Sequence, residues 1–156
     1  MRVAGKNSRG AVRAASKTSS EDGDIEARLR ERALLAMERA YAPYSNFQVG
    51  AALLGSDGSI TSAGNVENAA FPAGTCAERA ALACAVASGV RSFRALVIAT
   101  SAEEPTSPCG MCRQALVEFS PELDIISVTR AGKEARWRLG ELLPHAFSPR
   151  SLQRTD

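Results

Sequence analysis

Three of the four cysteines fall in two short motifs, Thr75-Cys76-Ala77-Glu78 and, further along the chain, Cys109-Gly110-Met111-Cys112. Clustered cysteines favour a metal or redox site over a disulfide framework. Each motif is expected to begin a helix, where free N–H groups and the helix dipole stabilise a thiolate as a metal ligand. Three thiolates leave one tetrahedral position of a zinc ion open to water, which is typical of a catalytic site. The motifs therefore predict one zinc ion held by Cys76, Cys109 and Cys112.

Charged side chains beside these cysteines complete a site for hydrolysis. Glu78, two residues after Cys76, is predicted to reach the water without being a ligand and to act as the proton shuttle. Three thiolates outweigh a divalent cation and leave the cluster with a formal charge of about −1. Arg79 and Arg113 are near enough in the sequence to compensate, and Arg79 is predicted to donate hydrogen bonds to the ligand sulfurs.

The same residues also fit other interpretations. Glu78 also fits a capping box, in which it would bond back to the start of its helix. The Cys-x-x-Cys motif alone could be a redox pair. A structural zinc site would need a fourth ligand, either Cys84 or His145. Cys84 lies about 12 Å from Cys76 along one helix and is expected to be a small core residue, and His145 is expected at the surface.

The elements predicted around these motifs alternate between helices and strands. In chain order they are a helix over residues 24–41, strands over 48–54 and 60–64, a helix over 76–88, a strand over 95–100, a helix over 109–119, and strands over 124–129 and 136–139. Asp24 is the expected N-cap of the first helix. The strands at 95–100 and 124–129 flank a helix and should therefore be parallel. The predicted fold class is α/β, with a single mixed sheet of about five strands covered by helices on both faces as three layers.

Composition sets limits on the size of the domain and on its partners. The 156 residues, 45% of them hydrophobic, are enough for one domain with a real core. Residues 1–20 carry five basic and no acidic groups, so the remainder has 14 basic and 17 acidic groups, which disfavours a nucleic-acid partner. We predict a flexible basic tail over residues 1–23 and a catalytic domain over 24–156. No apolar stretch is long enough for a membrane helix and no secretory signal is evident, so the expected location is cytoplasmic.

The two cysteine motifs resemble the signature of the zinc nucleoside and nucleobase deaminases. Having Cys instead of His before Ala-Glu is similar to the small homotetrameric cytidine deaminases, and the similarity covers roughly residues 25–150. Further segments that occur in that family's order are Tyr44-Ser45-Asn46-Phe47, residues 49–54, residues 65–71, and Leu142-Leu143-Pro144 with Phe147. The resemblance implies a cytidine deaminase-like fold and one zinc ion per subunit.

The resemblance also implies which residues bind substrate. Asn65 and Glu67 would hold the ribose, Phe47 would pack on the pyrimidine, and Phe147 would reach a neighbouring subunit's site, which implies a homotetramer with shared active sites. The backbone N–H of Ala77 would donate to the pyrimidine carbonyl. Asn65 and Glu67 could instead be turn residues, and the two phenylalanines ordinary packing residues.

Two positions depart from the family's pattern, and the resemblance implies a catalytic role for one further residue. Gln48 stands where Pro is usual, and Phe71 stands where Tyr is common and so lacks a hydroxyl. The carbonyl of Ser107 would accept from the departing ammonia.

The implied activity is hydrolytic deamination of cytidine and 2′-deoxycytidine, in pyrimidine salvage. Water would attack C4, and Glu78 would carry its proton to N3 and then to the leaving amine. The alternatives are a deaminase of another aminopyrimidine nucleoside such as a cytosine-bearing antibiotic, an RNA or DNA editing domain, and a zinc-stabilised binding module without catalysis. The acidic body and the ribose-binding pair favour the free nucleoside.

Overall fold

The elements of the protein are seen in a computed structural model, which describes residues 9–152. In chain order they are α1 (Arg9–Glu38), β1 (Val49–Gly55), β2 (Ile60–Gly64), a 3-10 turn (Phe71–Ala73), α2 (Ala77–Ala87), β3 (Phe93–Thr100), α3 (Gly110–Val117), β4 (Asp124–Thr129), β5 (Glu134–Arg138), α4 (Leu139–Leu142) and a last 3-10 turn (Pro149–Leu152). The predicted order of helices and strands is confirmed. The short helix α4 was not predicted, and it includes Leu139, which was assigned to the last strand.

The five strands form one mixed sheet in the order β2-β1-β3-β4-β5. β1 and β2 form an antiparallel hairpin, and β1 also runs antiparallel to β3. β3 and β4 are parallel, with Ala95 opposite Asp124, as the β-α-β prediction requires. Because both strands of a parallel pair run the same way, the chain returns through α3, whose first residue follows the loop after β3.

Helices cover both faces of the sheet, as predicted. Along β1, Ala51 and Leu53 face one side and Ala52 and Leu54 face the other, the alternation expected of a strand buried on both faces. Leu29, Ala33 and Met37 of α1 cover the second side, one helical turn apart. The first side is covered by α2, α3 and α4 through Ala77, Ala81, Leu82, Ala85, Leu116 and Leu139.

Helix α1 approaches the sheet very closely at Gly50. A Cβ at this position would lie 2.0 Å from the carbonyl oxygen of Ala33 and 2.3 Å from the backbone nitrogen of Met37. These are backbone atoms that cannot move aside, so only glycine fits here. The contact fixes α1 against β1 and thereby fixes the loop that follows α1.

The first helix begins upstream of its predicted start. Asp24 lies inside α1, so its prediction as the N-cap is wrong. The apolar periodicity that located the helix marks only the stretch that packs on the sheet, where Ile25 makes contact, and a helix that extends past the sheet leaves no such pattern. The boundary between a tail over residues 1–23 and a domain over 24–156 stays a prediction, and residues 1–8 of that tail lie outside the described residues. Within residues 9–152, no helix combines the length and apolar character that crossing a membrane requires.

Candidate active site

The starts of α2 and α3 lie side by side and bring the three predicted sulfurs together. Cys76 and Cys109 are the N-cap residues of these helices, and both have extended backbone with no side-chain capping bond. The Sγ atoms of Cys76 and Cys109 are 3.8 Å apart, and those of Cys109 and Cys112 are 3.4 Å apart. All three sulfurs lie within 4.8 Å of one another.

This arrangement fits a zinc ion. Zinc–sulfur bonds of about 2.3 Å in a tetrahedron place the sulfurs about 3.8 Å apart, close to the distances observed. The sulfurs are too far apart for a disulfide, whose bond is about 2.05 Å, and all are free thiols. Cys112 is buried and Cys109 is exposed, so the cluster is closed on one side and accessible on the other.

No fourth protein ligand joins the cluster among the residues that the structure describes. Cys84 and His145, the two candidates, are both exposed and stand outside the group. The expectation that Cys84 is a core residue is wrong, because the buried face of α2 is formed by Ala77, Glu78, Ala81, Leu82 and Ala85 and Cys84 lies on the other side. A site with three protein ligands and an open position is the catalytic type.

The three thiols influence one another's ionisation. A hydrogen bond from the Cys112 thiol lowers the pKa of Cys76 to about 6, and Cys109 and the positive charge of Arg79 act in the same direction. Conversely, donation to Cys76 and burial raise the pKa of Cys112 above its ordinary value. Cys76 is therefore the thiol of this pair that ionises first and offers the first anionic ligand to a cation.

Glu78 occupies the second position of α2 and lies against the cluster. Its side chain is 5% exposed. Burial raises the pKa of its carboxyl above the ordinary value, the nearby Cys76 adds to this effect, and the Cys112 thiol opposes it. The N-cap of α2 is Cys76, so Glu78 is the second residue of the helix, whereas a capping box requires the third. The carboxyl is instead bonded to its own backbone N–H, which lowers its pKa against the effect of burial. A carboxyl here can exchange a proton with a small molecule held at the cluster.

The two arginines next to the ligands behave differently from the prediction. Arg79 lies at the edge of the cluster with Nη1 4.0 Å from the Met111 sulfur, and among the described side chains it donates no hydrogen bond to a cysteine sulfur. It acts on the sulfurs through its charge, which lowers the pKa of Cys76. Arg113 does not face the sulfurs, because its guanidinium is bonded to the loop before α3 and to the end of α4.

A cleft of about 540 Å³ opens beside Cys76. Its walls combine polar groups with large apolar side chains, and it is lined by Tyr44, Ser45, Asn65, Val66, Glu67, Asn68, Phe71, Gly74, Thr75, Cys76, Arg79 and Met111. Val66 pairs with Thr75 through two backbone hydrogen bonds of 2.9 Å. This pairing places Asn65 and Glu67 next to the strand-like segment that leads into Cys76, so the predicted ribose-binding pair and the first sulfur share one cleft.

Asn65 holds the loop that carries Phe47. Its side-chain oxygen accepts from the backbone N–H of Val49 at 2.9 Å, and its side-chain nitrogen donates to the carbonyl of Phe47 at 2.9 Å. The amide therefore has a structural role at the start of β1, in addition to any contact with a ligand.

Glu67 holds the preceding turn in a similar way. One carboxylate oxygen accepts from the backbone N–H groups of Tyr44 and Ser45 at 2.8 and 3.2 Å, and the other accepts from the Ser45 hydroxyl. The Ser45 hydroxyl and the Tyr44 N–H lower the pKa of Glu67 below its ordinary value. Glu67 is thus an anion that can accept further hydrogen bonds from the cleft.

The remaining predicted site residues differ in their burial and in whether they line the cleft. Ala77 is fully buried at the first position of α2. Phe47 is exposed, and its backbone is hydrogen-bonded to two residues of the cleft, Asn65 and Ser45. Phe147 does not line the cleft and is 59% exposed, and its backbone is hydrogen-bonded to the Gln114 side chain of α3. The structure therefore brings together the cysteines, Glu78, Asn65 and Glu67, but not Phe147.

Three exposed apolar residues of the cleft, Tyr44, Val66 and Met111, have no role predicted from the sequence, and a fourth, Phe71, is noted there only as a departure. The rings of Tyr44 and Phe71 contact each other edge-on with centroids 6.1 Å apart, and Met111 also lines the cleft. Met111 sits between two cysteines in the sequence, which is the signal that could have identified it. Phe71 packs by its ring, and Tyr44 supplies the only hydroxyl of this pair.

A model of the family described as "Cytidine and deoxycytidylate deaminase zinc-binding region" matches residues 24–127, a segment that includes the three cysteines and Glu78. The chain belongs to this family of zinc-binding deaminases, and its cofactor is zinc.

Individual relatives agree with the family. A cytidine deaminase of Sporosarcina psychrophila is 46% identical over 118 residues, which are 75% of this chain and 87% of the relative. One from Halalkalibacterium halodurans is 40% identical over 125 residues, 80% of this chain and 95% of the relative. The crystal structure of a cytidine deaminase from Burkholderia pseudomallei has a TM-score of 0.74 at 44% identity, covering 77% of this chain and 97% of that one. The predicted fold is confirmed.

Proposed function

We propose that this protein hydrolyses the exocyclic amino group of cytidine and 2′-deoxycytidine, giving uridine and 2′-deoxyuridine with release of ammonia. The observation that carries the proposal is a cluster of three free sulfurs within 4.8 Å, with a buried glutamate beside it, next to a cleft that Cys76 lines together with polar and apolar side chains. Relatives over most of the chain carry the name cytidine deaminase, which supports the same substrate class.

The proposed ligands of the zinc ion are Cys76, Cys109 and Cys112, one ion per subunit. When bound, zinc with one open position supplies a water acidified enough to act as a nucleophile near neutral pH. Arg79 lowers the negative charge felt at Cys76, in keeping with its effect on the pKa of that thiol. Its contribution in this proposal is electrostatic.

Glu78 is the proposed proton carrier. Its carboxylate would accept a proton from the attacking water, deliver it to N3 of the pyrimidine, and assist the departure of the amine from C4. Because the side chain is 5% exposed, bulk water does not compete for that proton. The buried N–H of Ala77 would donate to the pyrimidine carbonyl, and the carbonyl of Ser107 would accept from the departing ammonia.

Asn65 and Glu67 are proposed to recognise the sugar. Both side chains are already oriented by backbone hydrogen bonds, so little conformational entropy is lost when a sugar hydroxyl binds them. The Asn65 amide retains a second N–H and one lone pair on its oxygen. The Glu67 oxygen bonded to the Ser45 hydroxyl also retains a lone pair, and this combination suits a hydroxyl that both donates and accepts. Phe47 is proposed to pack on the pyrimidine, from the loop that Asn65 holds.

An absorbance assay tests the substrate class. Purified zinc-loaded protein is incubated with cytidine, 2′-deoxycytidine, cytosine, and an oligonucleotide that contains cytosine. Rapid loss of the cytosine absorbance with the two nucleosides alone is expected. Deamination of the oligonucleotide with cytidine untouched would reverse the proposal in favour of an editing domain, and deamination of a cytosine-bearing antibiotic alone would identify the other aminopyrimidine class.

We also propose that the protein assembles as a homotetramer with shared active sites. Tyr44, Phe71 and Met111 are exposed around the cleft, and Phe147 is exposed outside it, a pattern typical of apolar surface that another subunit covers.

Light scattering measures the mass of the assembly. Co-refolding an inactive Glu78→Gln chain with a Phe147→Ala chain should restore activity if Phe147 completes a neighbour's site, and no restoration would place Phe147 in packing alone.

The proposed biological role is pyrimidine salvage in the cytoplasm. The three clustered thiols are free, and a reducing compartment keeps thiols in that state. Growth of a pyrimidine-requiring strain on cytidine, dependent on this gene, tests the role. Cell fractionation tests the location.

A further inference from the structure

The guanidinium of Arg113, the residue after the ligand Cys112, makes three hydrogen bonds to two different segments. Nε donates to the carbonyl of Pro108 at 2.7 Å and Nη2 donates to the Ser107 hydroxyl at 2.8 Å. Nη1 donates to the carbonyl of Leu142, the last residue of α4, at 3.0 Å. Every nitrogen of the guanidinium is therefore engaged, and two of the three bonds hold the turn just before Cys109.

The Pro108 carbonyl belongs to the peptide unit that also contains the backbone nitrogen of Cys109. Peptide units are planar, so fixing this carbonyl fixes the plane from which the Cys109 side chain departs. Pro108 is fully buried and its ring restricts φ, which leaves the turn little other freedom. Cys109 is itself the exposed sulfur of the cluster, with less packing than Cys112 to hold it, so its position depends on the turn.

We propose that Arg113 is a positioning residue that keeps the Cys109 sulfur in place for the metal and ties the metal-binding turn to the end of α4. Its role is geometric: the planar fork offers five N–H donors in fixed directions, which a lysine ammonium with the same charge does not reproduce. The activity consequence rests on the proposed function, whereas the metal consequence does not.

Arg113→Lys and Arg113→Gln separate geometry from charge. Zinc-loaded proteins are mixed with an excess of a chromophoric chelator, and the rate of zinc release is followed together with the zinc-to-protein ratio. Both variants should release zinc about 10- to 100-fold faster than wild type, the usual effect of losing a group that orients a ligand. A wild-type rate for the lysine variant, with loss only for glutamine, would assign Arg113 to charge compensation and overturn the proposal.

Arg91→Lys is the matched control. Arg91 also donates to backbone carbonyls, those of Val86 and Val90, but at the far end of α2 from Cys76. It should lower the midpoint of thermal unfolding without changing zinc release. Equal acceleration in both lysine variants would show that general destabilisation is the cause, which contradicts the proposal.

Ser107→Ala keeps the test decisive if the Arg113 variants do not fold. It removes one of the three hydrogen bonds while keeping the backbone, and should speed zinc release about 2- to 10-fold. An unchanged rate would overturn the proposal. Failure of the proposed function is distinguishable from failure of this proposal. A wild-type protein that binds zinc but leaves cytidine intact would disprove the activity, and the zinc-release comparison would remain valid.

Discussion

Replacing Glu78 by glutamine removes the buried carboxyl beside the sulfur cluster while leaving the size of the side chain almost unchanged. The side chain is 5% exposed, so bulk water is a poor replacement for the missing proton carrier. General acid–base groups contribute about 10²- to 10⁴-fold. Because Glu78 is buried, a loss of at least about 10³-fold in kcat is expected, which corresponds to about 4 kcal/mol. The zinc content should stay at one ion per chain, since the glutamate is not a proposed ligand.

The measurement combines initial rates with cytidine, zinc analysis of the same sample, and a thermal unfolding curve. Glu118→Gln provides the control, because Glu118 is exposed at the far end of α3 and the same chemical change there should leave kcat unaltered. Turnover by Glu78→Gln within tenfold of wild type, with zinc bound, would refute the proton-carrier role. Loss of zinc along with activity would instead make Glu78 a contributor to metal binding.

Further outcomes follow from other parts of the molecule. Chelator treatment should abolish turnover and lower the unfolding midpoint, with zinc restoring both, because the metal binds only the folded state; full activity after complete zinc removal would contradict this. Asn65→Ala should raise KM for cytidine up to about 30-fold, because two loop-orienting hydrogen bonds of about 1 kcal/mol each are lost; initial rates decide, and an unchanged KM counts against it. Gly50→Ala should cost about 3 kcal/mol or more in the free energy of unfolding, since the new methyl group meets backbone atoms of α1; a neutral effect in denaturant titration would contradict the close contact. Hydrogen bonds from Arg136 lower the pKa of Glu26 to about 2, so its stabilisation, on the order of 1–2 kcal/mol after solvent screening, is complete above the ordinary glutamate pKa and is lost as pH falls from about 5 toward 2. Glu26→Gln should therefore flatten the pH dependence of unfolding in that range, and an identical pH profile would argue against it.

The residues of the sulfur cluster were predictable because the relevant signals are local. A cysteine before a helix and another three residues later necessarily lie near one helix end, and Glu78 follows Cys76 by two positions on the same turn. The fold was predictable for a related reason: strand alternation and helical periodicity each repeat within a few residues, and the β-α-β connection has one favoured hand. Family resemblance added Asn65, Glu67, Phe47 and Phe147, which spacing alone did not identify.

These local signals do not predict contacts between segments that are distant in the sequence. Arg113 was expected to balance the charge of the sulfurs, yet it is bonded to Pro108 and to Leu142 from another element. Cys84 was expected in the core and is exposed. The direction of a long cationic side chain depends on which carbonyls the folded chain places within its reach, and the exposure of a helix face depends on what packs against it.

Local spacing therefore defines which atoms can bind the metal and carry the proton, since those atoms belong to single helical turns. Long-range packing decides where the two helix starts meet and which side of the cluster stays open. It also decides how the loops at residues 44–49 and 65–67 are held beside the cluster. Those features arise from the close approach of α1 at Gly50 and from hydrogen bonds such as that of Asn65 with Phe47, which join residues 18 positions apart. Only the assembled chain brings such partners together.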